Sequence, residues 1–192
     1  MGIGGAVSAR VGRATGARRA IFLDRDGVLN ASVLDPAGRP LPPRSAAELS
    51  ILPGVPAACA ELRAAGYLLI GCTNQPDIAR GTTPRDFVDW VNAQVAEAVG
   101  LDEMRVCPHD DADGCHCRKP RPGMLTDAAA AHGIDLAASW MVGDRFRDIE
   151  AGQAAGCRTL FIDYGYPERP PALPPTAVAA SLPAGLPHLL PR

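Results

Sequence analysis

Apolar residues along this chain alternate between two kinds of spacing. Short runs dominated by apolar residues, "RRAIFL" (18–23), "YLLIGC" (67–72), "MRVC" (104–107), "SWMVGD" (139–144) and "CRTLFID" (157–163), each stop at a polar or glycine-containing turn. Short apolar runs bounded by turn signals are the pattern of strands covered on both faces. Between them, apolar positions return every three or four residues, the spacing of one helix face. "GVPAACAELRAAGY" predicts a helix that tolerates Pro56 in its first turn and ends at Gly66. "TPRDFVDWVNAQVAEAVG" predicts another, with Thr83 as cap, Pro84 at the first helical position and Phe87, Val88, Val91, Val95 and Val99 on one side. "PGMLTDAAAAHG" and "RDIEAGQAAG" predict two more. Residues 31–53 are proline-rich with little periodicity and read as a loop.

Strand alternating with helix predicts an α/β fold: a doubly wound, Rossmann-like parallel sheet with helices on both faces. In such sheets ligands sit beyond the carboxyl ends of the strands. At those ends stand Asp24 and Asp26, Thr73 and Asn74, the Cys107 loop leading to Lys119, and Asp144. Residues i and i+2 of an extended segment share a face, so Asp24 and Asp26 point one way and Arg25 the other. One carboxylate near a cation can act as a nucleophile, and a second beside it can give and take a proton. Taken singly each signal is weak: a lone Asp-x-Asp is commonly a solvated turn, and a lone Lys a surface residue. Their order at successive strand ends gives them weight together.

Composition narrows the class. The chain has 192 residues, a formal net charge of −2 and 47% apolar residues. That is one domain's worth of core, with no basic stripe for a nucleic acid and no apolar run long enough to span a membrane. Residues 1–19 read as a disordered basic leader rather than a transit peptide or nucleic-acid arm. Residues 20–165 read as the domain, and 166–192 as a Pro-rich C-terminal tail lying on the surface or partly disordered. Six cysteines without an export signal suggest a reducing, cytoplasmic setting, where clustered thiols read as metal ligands rather than disulfides.

Asp24-Arg25-Asp26-Gly27, Thr73, Lys119 and Gly143-Asp144-x-x-x-Asp148 together resemble the four motifs of the haloacid dehalogenase superfamily of phosphotransferases. The resemblance covers residues 20 to 165. It implies that Asp24 forms an aspartyl phosphate and that Asp26 protonates the leaving oxygen, then deprotonates the hydrolytic water. It also implies that Thr73 and Lys119 steady the phosphoryl group. Catalytic magnesium would be held by Asp24, the backbone carbonyl of Asp26 and Asp144, with Asp148 orienting Lys119 or a magnesium-bound water.

"CPHDDADGCHCRKP" (107–120) adds a second constellation. Cys107-x-His109 and Cys115-x-Cys117 are two i, i+2 pairs joined by a short turn, a spacing suited to a closed Cys3His structural zinc site. Reactive thiols are the alternative reading; calcium is disfavoured because the EF-hand spacing and terminal Glu are missing. Cys59, Cys72 and Cys157 read as buried core thiols. The zinc would pin a long loop so that Arg118 and Lys119 point into the phosphate site.

With "FLDRDGVLN" and "TNQPDIARG", this loop resembles the superfamily's zinc-loop branch, which contains heptose bisphosphate phosphatases and histidinol-phosphate phosphatases. The branch implies substrate-binding roles for Arg25, Asn74, Gln75, Arg118 and Arg145. Heptose enzymes commonly carry Lys at the position of Arg145. They also carry an aromatic segment where this chain has "ASVLDPAGRPLPPRS". Forty-six residues separate Asp26 from Thr73 and forty-five separate Thr73 from Lys119, so no separate cap domain fits. The expected activity is hydrolysis of a small phosphorylated sugar by a monomer, with heptose 1,7-bisphosphate first and histidinol phosphate second. A nucleic-acid end phosphatase and a non-catalytic zinc-stabilised binding protein are more distant alternatives.

Overall fold

Strand β1 (Arg19–Leu23) shows how the sheet is covered. Ile21 and Leu23 pack into one apolar cluster, Ala20 and Phe22 into another, as the period-2 alternation of a strand requires. The computed structural model describes residues 17–190, so most of the basic leader lies outside the described residues. Its last residue, Arg19, opens β1, with the guanidinium 4.4 Å from the Tyr67 ring centroid and donating to the Ala65 carbonyl at 2.9 Å.

In chain order there follow a hairpin of β2 (Val33–Leu34) and β3 (Pro40–Leu41), α1 (Val55–Ala64), β4 (Tyr67–Asn74), α2 (Arg85–Val99) and β5 (Glu103–Cys107). Then come α3 (Gly123–His132), β6 (Trp140–Gly143), α4 (Phe146–Ala155), β7 (Arg158–Ile162), β8 (Ala177–Ala179) and α5 (Leu182–Leu189). Six strands form one parallel sheet in the order β5-β4-β1-β6-β7-β8. The chain leaves β1 towards β4 and β5, then returns to the other side of β1 with β6. That reversal opens a crevice at the carboxyl ends of β1, β4 and β6. Helix α1 adjoins both α2 and α5 on one face, while α3 and α4 pack together on the other.

Three details differ from the sequence reading. The 31–53 segment is not wholly loop, since Val33 pairs with Leu41 and Leu34 with Pro40. It forms a small hairpin rather than a separate domain. The cap of α2 is Pro84 rather than Thr83, and no side chain caps it. Most of the C-terminal segment is integral to the fold. β8 extends the sheet beside β7, and Leu182 and Leu189 of α5 are buried. Pro183 and Pro187 hide this helix from a periodicity reading; Pro183 sits in the first turn, where proline is tolerated, and Pro187 lies inside the helix. The Ser181 hydroxyl accepts from Ala184 N at 3.2 Å, and the Tyr67 hydroxyl donates to the Leu189 carbonyl at 3.0 Å. Among the described residues no helix is long and apolar enough to cross a membrane.

Candidate active site

Asp24 follows the last residue of β1, its N–H donating to the Val142 carbonyl at 2.9 Å so that the ladder with β6 continues one residue further. The chain then turns at Gly27, whose φ is +86°. A Cβ there would lie 1.9 Å from Asp144 Oδ2. Glycine is needed both for the backbone conformation and to let the carboxylate after β6 approach. Gly143 similarly makes room, since a Cβ would come 2.1 Å from that of Asp148.

Lys119 arrives from the loop after β5 and is fully buried. Its ammonium donates to Asp24 Oδ1 at 2.7 Å, to the Cys72 carbonyl at 2.7 Å and to Asp148 Oδ1 at 2.5 Å. The Asn74 amide clamps the Lys119 main chain from both sides, donating to its carbonyl at 3.0 Å and accepting from its N–H at 3.1 Å. Asp148 Oδ2 accepts from Arg145 N at 3.0 Å, so both its oxygens are engaged. Asp26 is held by more donors. Arg25 reaches both its oxygens, the shortest contact 2.9 Å, while Asn30 and Gln75 each donate at 3.0 Å. Gln75 also donates to the Thr73 hydroxyl oxygen at 2.8 Å.

A cleft of about 290 Å³ opens over these groups. Asp24, Asp26, Thr73 and Lys119 line it, together with Asn74, Arg118 and Arg145. The side chains of Arg25 and Gln75, expected to contact substrate, lie behind it. Arg25 is buried and turned towards Asp26 and Asn92, and Gln75 is buried against Asp26 and Thr73. Neither side chain is placed to touch a ligand in the cleft, because each is committed to holding a neighbour.

The sequence reading missed two cleft arginines, Arg80 and Arg147. Both lie inside segments already singled out, "TNQPDIARG" and "MVGDRFRD", where only their neighbours drew attention. Arg80 bonds Asp110 at 2.7 Å, Arg118 bonds Asp111 at 2.8 Å, and Arg147 reaches the same Asp111 oxygen at 3.1 Å. Arg145 pairs with Glu168. The hairpin supplies Pro40, Leu41 and Pro42 to one wall.

Charge in the deep end is unbalanced. Oxygens of Asp24, Asp144 and Asp148 lie within 4.8 Å of one another, facing the single ammonium of Lys119. Burial pushes the Asp24 carboxyl up to about 7, helped by Asp148 and opposed by Lys119. Burial, then Asp24 and Asp148, raises Asp144 well above the usual carboxylate range. Burial works against the charged form of Lys119, but Asp148 and Asp24 outweigh it and raise its pKa. Both oxygens of Asp144 are buried without a hydrogen-bond partner, and buried polar atoms rarely stay unpaired. An all-oxygen donor set with excess negative charge fits a hard cation such as magnesium.

The Cys and His quartet also fits its expected ion. Cys107 Sγ lies 3.7 Å from Cys115 Sγ and 3.6 Å from His109 Nδ1. Cys117 Sγ lies 3.5 Å from Cys115 Sγ and 3.4 Å from His109 Nδ1. Zinc with bonds of about 2.3 Å to sulfur and 2.0–2.1 Å to nitrogen needs tetrahedral edges of roughly 3.4–3.8 Å. Gly114, at φ +61°, closes the intervening turn, and Asp110 caps it through a hydrogen bond to Asp111 N at 2.7 Å. His116, inside the same segment, turns away to Asp127 at 2.8 Å.

Comparison with known proteins gives a consistent picture. The family model described as HAD-hydrolase-like matches residues 116–184. The D-glycero-beta-D-manno-heptose-1,7-bisphosphate 7-phosphatase of Pseudomonas aeruginosa is 35% identical over 153 residues, covering 77% of this chain and 83% of the relative. The Yersinia pestis protein of that name is 39% identical over 157 residues, covering 73% and 77%. Among solved structures, the Bordetella bronchiseptica D,D-heptose 1,7-bisphosphate phosphatase, complexed with magnesium and phosphate, superposes with a TM-score of 0.73 at 32% identity. It covers 89% of this chain and 97% of that one. The Burkholderia thailandensis heptose phosphatase gives 0.62 at 28% identity, covering 91% and 100%.

Proposed function

The chain is a phosphatase of the haloacid dehalogenase superfamily and belongs to its heptose bisphosphate phosphatase family; from that premise we propose that it removes the 7-phosphate of D-glycero-D-manno-heptose 1,7-bisphosphate. One observation carries the substrate assignment. A single cleft joins the Asp24–Lys119 end to an outer part lined by Arg80, Arg118, Arg145 and Arg147. The deep end suits the reacting phosphoryl group, and the arginines suit a second phosphate. Histidinol phosphate, which carries an amine and an imidazole but no second phosphate, has no use for four guanidinium groups.

In this reading Asp24 attacks phosphorus in line, and the bond from phosphorus to the sugar oxygen breaks. Asp26 delivers a proton to that oxygen as it leaves. The second step reverses the proton's path: Asp26 takes one from water, the water oxygen bonds phosphorus, and the Asp24–phosphorus bond breaks to release inorganic phosphate. Lys119 balances charge on the transferring oxygens. Because the Thr73 oxygen accepts from Gln75, its own hydrogen is free to be donated to a phosphoryl oxygen. Magnesium, for which Asp24, Asp144 and the Asp26 backbone carbonyl would be ligands, would supply positive charge to the phosphoryl oxygens when bound. Zinc held by Cys107, His109, Cys115 and Cys117 would be structural, fixing the loop that presents Arg118 and Lys119. Arg118 and Arg145 would bind the distal phosphate. The enzyme would work as a cytoplasmic monomer on this small molecule.

Phosphate release should be measured with heptose 1,7-bisphosphate, heptose 7-phosphate and histidinol phosphate. The bisphosphate should give a kcat/KM at least about tenfold above the other two, the scale of one lost charged contact. A preference for histidinol phosphate would overturn the substrate assignment.

A further inference from the structure

Asn92 is the one polar residue among the five buried positions of α2, in line with Val88, Val91, Val95 and Val99. A buried amide in an apolar stripe is costly unless it is bonded. Its oxygen accepts from Arg25 Nη1 at 2.7 Å, a partner 67 residues away in sequence, while its Nδ2 is buried without a partner. Arg25 is itself only 1% exposed. Its other hydrogen bonds all go to Asp26: Nε to Oδ1 at 3.2 Å, and Nη2 to Oδ1 at 3.1 Å and to Oδ2 at 2.9 Å. A planar guanidinium bonded on one side to a fixed helix and on the other to a carboxylate cannot rotate without breaking a buried bond.

We propose that Arg25 and Asn92 are positioning residues, a brace from α2 that aims the Asp26 carboxylate at the leaving oxygen and the hydrolytic water. The inference rests on the reading of Asp26 as acid and base and takes it one step further back into the core. Asn30 bonds Asp26 at Oδ1 and Gln75 bonds it at Oδ2, each through a single amide donor, so they fix where the carboxylate lies. Arg25, bonded to both oxygens, fixes the plane in which it lies. Proton transfer depends on that plane, because the donor hydrogen must point along the line to the departing oxygen. Nucleophilic attack by Asp24 does not depend on it. Loss of the brace should therefore be felt in proportion to the acid help a leaving group needs.

The test compares p-nitrophenyl phosphate, which needs little protonation, with an alkyl phosphate, which needs it fully. Both are read as kcat/KM in the same preparation, so the folded fraction cancels in their ratio. Asn92→Leu keeps the side-chain volume and the apolar stripe but removes the oxygen. Arg25→Lys keeps the charge but removes the fork. Each should lower kcat/KM for the alkyl ester about tenfold or more while changing the aryl ester less than about threefold. Asn92→Gln, which retains an amide oxygen, should recover part of the loss. Equal losses on both esters, or none, in Asn92→Leu and Arg25→Lys would overturn the brace. Asp26→Asn separates this from the underlying reading. If it changes the alkyl-to-aryl ratio while the brace variants do not, only the brace is wrong; if it leaves the ratio unchanged, the acid role of Asp26 falls too.

Discussion

The deep end of the cleft and its outer rim use the same chemical parts, carboxylates against cations, but hold them in opposite ways. In the deep end Lys119 and Asp148 are 2% exposed, and Lys119 pairs with Asp148 at 2.5 Å and with Asp24, just past the end of β1, at 2.7 Å. At the rim the Arg80, Arg145 and Arg147 side chains are 46%, 37% and 29% exposed and pair with acids on loops. Water-exposed ion pairs contribute about 0–1 kcal/mol, so exchanging Asp111 for a substrate phosphate at Arg147 costs little. A buried pair that loses one partner leaves an uncompensated charge and costs several kcal/mol. The deep end is therefore suited to one fixed chemistry on any phosphate ester, and the rim to choosing which ester.

Four experiments would break or sharpen that contrast. The largest effect is expected in the deep end. Asp24→Asn should lower kcat by several orders of magnitude with circular dichroism unchanged, and Lys119→Ala should be severe on small and large esters alike. Activity above a few per cent of wild type in Asp24→Asn would dissolve the distinction, since the deep end would then not be where the chemistry occurs.

Next comes Cys115→Ser, which acts on the loop joining the two regions. It should lose the zinc, which elemental analysis of the wild type should find at about one per chain. It should also lose roughly a hundredfold in kcat/KM, the cost of misplacing a group by about 1 Å, while the sheet stays folded. Wild-type kinetics in a zinc-free variant would show that the quartet does not position Arg118 and Lys119.

A smaller, selective effect is expected at the rim. Arg147→Ala should cost about tenfold in kcat/KM on the bisphosphate and less than about twofold on a small aryl phosphate, because it would touch only the distal group. Equal loss on both would move Arg147 into the deep end's account.

The smallest effect is thermal. The Asp24 carboxyl is raised from 3.8 to about 7 when no cation is bound, chiefly by burial and then by Asp148. The unfolded chain then ionises first as pH rises through this window, so the metal-free protein loses stability between pH 3.8 and 7. Magnesium, held there as proposed, would bind the ionised form and remove the penalty. Added magnesium should therefore raise Tm more at pH 8 than at pH 5, and an equal shift at both would contradict the charge imbalance.

Much of the site was legible along the chain because its parts stand at strand ends. Asp24, Thr73, Lys119 and Asp144 each follow an apolar run or its loop, and the rule about strand carboxyl ends gathers them without coordinates. Arg25 was half legible. Alternation turns it off the face of Asp24, but its return to the neighbouring Asp26 depends on Asn92 of α2. Asn92 itself left a signal, a polar residue inside a valine stripe, whose meaning needed a partner 67 residues distant. α5 was hidden because Pro183 and Pro187 interrupt the periodicity that reveals helices, although Pro183 sits in the first turn, where proline costs little.

The sequence by itself determined the layered α/β architecture, the edge of the sheet that carries chemistry, and the zinc-type quartet, whose ligands fall within eleven consecutive positions. These follow from local periodicity and from short-range geometry, which nearby residues specify on their own. Only the tertiary structure decided which cation faces which acid: Lys119 with Asp24 across 95 residues, and Arg147 with Asp111 across 36. Pairings of that reach depend on strand order, on the side to which the chain returns after β5, and on rotamers set by packing, and no repeat along the chain encodes them.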